Sequence, residues 1–134
     1  MIALDTNVLL YACDRADSRR QQIAIDLIAN SRDGVLLWQV ACEFVAASRK
    51  LSAQGFTAAD AWNRLAEFLT LLRLVRPTAS VLERGRGLHA THGVSFWDAL
   101  ILAACAEAGV EILYSEDVPG LPTLGALQVV NPFR

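Results

Sequence analysis

At 134 residues, 54% hydrophobic and 19% charged, the chain has the size and apolar content of one globular domain, which excludes a disordered tail. No apolar run nears the roughly 20 residues that span a bilayer. The first apolar stretch has no basic segment before it and is cut by Asp5, so no signal peptide is read and a cytoplasmic location is expected.

Ile2 to Asp5 reads as a short buried strand, followed by a short helix over Asn7 to Cys13. Arg19 to Ser31 has helical spacing through Ile23, Leu27 and Ile28, with Asp17 or Ser18 as cap. Asp33-Gly34 marks a turn into a strand over Val35 to Trp38, and Gln39 to Leu51 reads as helix. Gly55 ends that helix and Thr57 caps the next, Ala58 to Leu72, which is expected to set Trp62, Leu65, Leu69 and Leu72 on one side. A strand over Leu74 to Arg76 stops at Pro77, and Thr78 caps a helix to about Ala90. After Gly93, Ser95 and Asp98 read as a capping box opening a helix that Gly109 ends. Strands follow over Ile112 to Ser115 and Leu127 to Val130, either side of an irregular Pro119-Gly120-Leu121-Pro122. Strands alternating with helices imply an α/β fold whose crossovers build a parallel sheet covered on both faces. No linker or repeat interrupts residues 1–134, so a single domain is expected.

Four acidic residues stand where a lone carboxylate is costly. Asp5 closes Met1-Ile2-Ala3-Leu4, and Glu43 lies inside Val40-Ala41-Cys42-Glu43-Phe44-Val45. Asp98 opens Asp98-Ala99-Leu100-Ile101-Leu102-Ala103, and Asp117 follows the strand ending near Ser115. Sites in open parallel sheets form beyond the carboxyl ends of strands, and all four residues belong near that edge. Two carboxylates about 5 Å apart at an effective dielectric near 20 repel by roughly 3 kcal/mol. Several sharing one place therefore call for a cation. All-oxygen ligation favours Mg²⁺ or Mn²⁺ over Zn²⁺, and such ions promote attack on phosphodiesters. The net charge of −2 lacks the basic bias common in nucleic-acid binders, although 11 of the 12 basic residues are arginine, which suits bidentate phosphate contacts.

Each residue alone also has a plainer role. Asp5 can cap the helix after it, Asp98 can close its capping box, Asp117 can serve a turn, and Glu43 can pair with Arg49 or Lys50. His89 and His92, three residues apart, have zinc-like spacing without a third soft ligand nearby. Trp38, Trp62 and Trp97 read as core or dimer contacts rather than base-stacking platforms. Arg15, Arg19 and Arg20 read equally as a phosphate-holding group, a solvated face or a partner contact. Cys13, Cys42 and Cys105 read as reduced, buried thiols.

Ile2-Ala3-Leu4-Asp5-Thr6-Asn7-Val8-Leu9-Leu10-Tyr11-Ala12 resembles the opening of PIN-domain ribonucleases, and Gln39-Val40-Ala41-Cys42-Glu43-Phe44 their second acidic motif. Ser95-Phe96-Trp97-Asp98-Ala99-Leu100-Ile101 resembles the third and Leu113-Tyr114-Ser115-Glu116-Asp117 the fourth, in order, at the length of VapC-type toxins of toxin–antitoxin pairs. The resemblance implies a three-layer α/β/α sandwich with a mostly parallel sheet of about four to five strands. It also implies a Mg²⁺- or Mn²⁺-dependent endoribonuclease, often dimeric and held by a small antitoxin. By motif, Asp5 and Asp98 would be the principal metal ligands, with Glu43 and Asp117 completing the catalytic set. Thr6, Asn7, Ser115 and Glu116 would support them. The Val118-Pro119-Gly120-Leu121-Pro122 that follows departs from the less proline-rich segment of many relatives. Two other readings stay open: an Asp-nucleophile phosphatase or phosphoryl-receiver domain, and a non-catalytic protein-binding module. The first normally needs a lysine at its site, and Lys50, the sole lysine, reads as badly placed for it.

Overall fold

The structure, a computed structural model, describes residues 1–134 throughout. Five strands form one parallel sheet in the order β3-β2-β1-β4-β5: β1 Ile2–Leu4, β2 Gly34–Leu37, β3 Arg73–Val75, β4 Ile112–Tyr114 and β5 Gln128–Val130. Six helices connect them: α1 Thr6–Ala12, α2 Ser18–Asn30, α3 Trp38–Ala47, α4 Ala58–Leu71, α5 Ala79–His92 and α6 Phe96–Ala108. The first two crossovers step one way along the sheet and carry α1 to α4. The long return from β3 to β4 carries α5 and α6. Right-handed crossovers place these two groups on opposite faces, and α1 packs on α2 and α3 while α5 packs along α6. The three inner strands, β2, β1 and β4, so end up covered on both sides while the edge strands β3 and β5 stay largely exposed, the expected α/β/α sandwich.

The reversal of direction lies between β1 and β4, neighbours that pair Leu4 with Tyr114. One residue further on, Asp5 stands beside Ser115, and the Asp5 N–H donates to the Tyr114 carbonyl at 2.9 Å. A switch point of this kind opens a crevice beyond the strand ends.

Several boundaries and faces differ from expectation. Trp38 starts α3 instead of ending β2, and helix α3 stops at Ala47, where a 3-10 segment, Ser48–Gln54, tightens the chain before Gly55. The buried face of α4 is Ala61, Leu65 and Phe68, with Leu72 at its end, while Trp62 and Leu69 face outward. The outcome turns on Phe68, which meets Phe44 of α3 edge to face at 5.4 Å between ring centres. Trp38, Trp62 and Trp97 are 48%, 61% and 62% exposed, so none belongs to the core. Cys42 is exposed too, because α3 turns Val40, Ala41 and Phe44 inward; Cys13 and Cys105 are buried thiols as expected. Thr78 sits at the cap of α5, but its hydroxyl meets Ser80 at 2.9 Å rather than the helix backbone. Gly85 earns its place within α5: a Cβ there would come 2.7 Å from the Leu100 side chain, so the glycine sets how closely α5 approaches α6.

Candidate active site

A cleft of about 460 Å³ opens at the carboxyl edge of the sheet, lined by Asp5, Glu43, Asp98 and Asp117 together with Thr6, Asn7, Leu10, Ala46, Ala47, Arg49, Lys50 and Ile101. Each acid arrives by a different route. Asp5 is the N-cap of α1, Glu43 lies one turn into α3, Asp98 is in the first turn of α6, and Asp117 follows β4.

Asp5 is 6% exposed and both its oxygens are held. Oδ1 accepts from the Thr6 N–H at 2.8 Å and Oδ2 from the Ser115 hydroxyl at 2.7 Å. Thr6 Oγ1 donates to Glu43 Oε2 at 3.0 Å, and Gln39 Nε2 donates to Glu43 Oε1 at 2.9 Å and to the Trp97 carbonyl at 3.2 Å. Gln39 thus bridges α3 to the start of α6, next to Asp98. Asn7 donates to Asp117 Oδ2 at 3.2 Å while its own Oδ1 accepts from the Glu116 N–H at 3.4 Å. The plainer role of Asp5 holds alongside this convergence, since it caps α1 through Thr6; Ser95 accepts from the Asp98 N–H, but no return bond from the Ser95 N–H to the Asp98 carboxylate closes the expected box. Neither Arg49 nor Lys50 pairs with Glu43, so that alternative is not what occupies it.

Glu116 goes elsewhere. Its carboxylate accepts from the Tyr11 hydroxyl at 2.8 Å and lies 3.8 Å from Arg20, outside the cleft. Arg15, Arg19 and Arg20 also point to partners in their own chain: Arg15 to the Gln54 carbonyl, Arg19 to the Phe133 carbonyl at 2.8 Å and Arg20 to Asp17 at 2.8 Å. His89 donates from Nδ1 to the Val94 carbonyl, and His92 meets the Thr123 hydroxyl, so the two rings do not share a ligand site.

Burial raises the Asp5 carboxyl above the usual range; Ser115 and the Thr6 N–H pull it back, and Glu43 and Asp98 push it up again. Burial also raises Asp98, opposed by Ser95 and reinforced by Glu43 and Asp117. These acids therefore feel one another. No basic side chain forms an ion pair with any of the four. They line the cleft without closing into a cage: no three acidic, His or Cys side chains stand as a ready ligand set. An uncompensated, all-oxygen group of this kind suits a hard divalent ion that keeps several waters.

The raised Asp98 predicts a pH effect on stability. A carboxyl whose folded pKa exceeds its unfolded value is protonated more readily in the folded state. Its ionisation then penalises folding as pH climbs from the ordinary carboxylate range, near 4, through the folded value. Asp98→Asn should therefore melt higher than the parent at pH 7, with the gain shrinking to nothing as the pH falls towards 4. Thermal melts across that range measure it, and a gain that is the same at both ends would contradict the assignment.

Two cleft residues were read from the sequence only as possible ion-pair partners of Glu43. Arg49 and Lys50 face the acids, and Lys50 is not badly placed after all. The signal was there: Glu43, Ala46, Ala47 and Lys50 fall at i, i+3, i+4 and i+7, one face of a continuous helical path. Gln39, four residues before Glu43, shares that logic.

Comparison with known proteins now gives the class. The PIN domain family model matches residues 2–118, and the chain belongs to the PIN domain family. No curated protein matches it by sequence. Among solved structures it is similar to VapC20 of Mycobacterium tuberculosis, described as a Sarcin-Ricin loop cleaving toxin, with a TM-score of 0.70, 22% identity and 87% and 90% of the two chains covered. It is also similar to a chain of a toxin-antitoxin complex from Klebsiella pneumoniae (TM-score 0.67, 21% identity, 98% of each chain). A third is the FitAcB structure from Neisseria gonorrhoeae (0.68, 23%, 99% of each). At these identities the likeness is one of fold.

Proposed function

We propose that this protein is a Mg²⁺- or Mn²⁺-dependent endoribonuclease, the toxin of a toxin–antitoxin pair, acting in the cytoplasm as one PIN-like unit over residues 1–134. The observation that carries the reading is the meeting of Asp5, Glu43, Asp98 and Asp117 in one cleft with no basic partner for any of them. Membership of the PIN family supports it, as do neighbours described as a Sarcin-Ricin loop cleaving toxin and as a toxin-antitoxin complex. No helix is long and apolar enough to cross a membrane.

Asp5, Glu43, Asp98 and Asp117 would hold the ion, whose role is Lewis acidity at the scissile phosphate. Thr6 orients two of these acids at once, its N–H on Asp5 and its hydroxyl on Glu43. Ser115 fixes the second oxygen of Asp5, Gln39 that of Glu43, and Asn7 steers Asp117. Water attacks phosphorus in line with the 3′-oxygen, the P–O3′ bond breaks, and a proton goes to that oxygen, leaving 5′-phosphate and 3′-hydroxyl ends. Cleavage of a labelled RNA should need Mg²⁺ or Mn²⁺, stop with EDTA, return when the ion is restored, and yield 5′-phosphate ends. Undiminished cleavage in EDTA would sink the reading.

One observation favours the rival phosphoryl transfer to Asp5: Lys50 shares its cleft. The burial of Asp5 and the engagement of both its oxygens speak against it as a nucleophile. Trapping of an acyl-phosphate on Asp5 would reverse that judgement.

The toxin reading carries a small antitoxin as partner, and a homodimer. For the dimer, an apolar groove of about 570 Å³ next to the cleft presents Trp38, Leu82 and Trp97, and both Arg76 and Glu107 line it. A two-fold contact would cover these apolar side chains on both copies with the same surface patch. Leu82→Glu should convert the dimer to a monomer in analytical ultracentrifugation; an unchanged sedimentation coefficient would place the interface elsewhere.

A further inference from the structure

A cleft with four carboxylates repels the polyanion it is proposed to cut. Neutralising the acids with one divalent ion removes only part of that charge. Arg49 and Lys50 stand in the same cleft, both exposed, on the 3-10 segment that continues the Glu43 face. Neither forms an ion pair, and neither side chain hydrogen-bonds within the chain. Glu43, the acid on the same helical path, already has both oxygens hydrogen-bonded, to Thr6 and Gln39. The contrast with Arg15, Arg19 and Arg20, all bound within the chain, is direct.

We propose that Arg49 and Lys50 are the phosphate-positioning residues of the cleft, each gripping one backbone phosphate of RNA next to the phosphate that is cut. The proposal rests on the ribonuclease reading and gives its substrate a point of attachment. Arginine offers a planar fork to two phosphate oxygens, and lysine a compact charge on a flexible stem. Both act by lining up the strand, so their loss should fall on KM more than on kcat.

The test measures binding of a fluorescent single-stranded RNA to Asp5→Asn protein by anisotropy, from low to high KCl at constant Mg²⁺. Each phosphate contact on a single strand contributes about 0.7 to the slope of log K against log salt. Adding Arg49→Gln and Lys50→Gln should lower the slope by about 1.4, two such contacts, while Arg49→Lys with Lys50 intact should keep it. Arg86→Gln, on α5 and paired with Glu83, should leave it unchanged. The two cleft side chains have no partners to lose, so the melting temperature should not move. An unaltered slope in the double variant overturns this proposal alone. If the Asp5→Asn protein shows no salt-dependent binding and the unmodified chain cuts no RNA, the ribonuclease reading falls and this inference with it.

Discussion

Asp5→Asn is expected to lower RNA cleavage by about 100-fold or more while leaving the fold intact. Supporting partners of metal ligands are worth about 10–100-fold each, and Asp5 is placed as a ligand itself. The substitution keeps the shape but removes the charge. It also changes the hydrogen bonding in a definable way. Oδ1 faces the Thr6 N–H and Oδ2 faces the Ser115 hydroxyl, so both positions call for an acceptor. An amide offers one acceptor and one donor, and one contact is lost at a cost of about 1–3 kcal/mol. Against this, a carboxylate that burial holds above its usual pKa no longer has to ionise, nor face Glu43 and Asp98. The two effects oppose, and the melting temperature should change little. Paired measurement of cleavage and melting separates the roles: a purely structural Asp5 would lose stability along with activity. Metal binding by calorimetry should weaken in step with cleavage. A variant with full Mg²⁺-dependent activity would remove the basis of the mechanism.

The acidic set was legible in the sequence because each member breaks an apolar run, and a break of that kind has few inexpensive explanations. The convergence of residues as distant as Asp5 and Asp117 followed from topology: parallel crossovers return every strand end to one edge, and pairing of Leu4 with Tyr114 brings the β1 and β4 ends side by side. Asp117 and Glu116 illustrate the limit. Adjacent in sequence, they leave β4 on opposite courses, and only the partners decide which faces the cleft: Asn7 for one, Tyr11 and Arg20 for the other. The face of α4 was misread by one residue because Trp62 is the most hydrophobic-looking anchor, whereas a phenylalanine pair from another helix set the rotation. The burial of Cys42 and the core alternative for the tryptophans failed for a related reason. An apolar residue type permits burial without requiring it. Arg49 and Lys50 were read only as partners for Glu43, because residue type and spacing show that an ion pair is possible but not that both cations stay free in the cleft.

Ser115→Ala should produce the largest loss of stability among single changes at the site, and a loss of activity with it. The side chain is 2% exposed and its oxygen serves three partners. It donates to Asp5 Oδ2 at 2.7 Å and accepts from the N–H groups of Asp117 at 3.1 Å and Val118 at 3.0 Å. The two accepted bonds fold the chain back after β4, as serine does in tight turns, and so aim Asp117 at the cleft. Alanine leaves a buried carboxylate short of a donor, worth about 1.5–3 kcal/mol, and the buried Val118 N–H without an acceptor, about 1–3 kcal/mol more. Water can reach the Asp117 N–H, since that residue is exposed. A net cost of about 3 kcal/mol corresponds to a fall of about 10 °C in melting temperature for a chain of this size. Ser48→Ala supplies the comparison. Ser48 is just as buried, at 5% exposed, but its hydroxyl makes one bond, to the Val45 carbonyl at 2.8 Å in the last turn of α3 just before it. Its loss should cost about 1 kcal/mol and spare cleavage. Equal melting temperatures for the two variants would mean that Ser115 is only a buried hydroxyl, and that the turn holding Asp117 is fixed by something other than this oxygen.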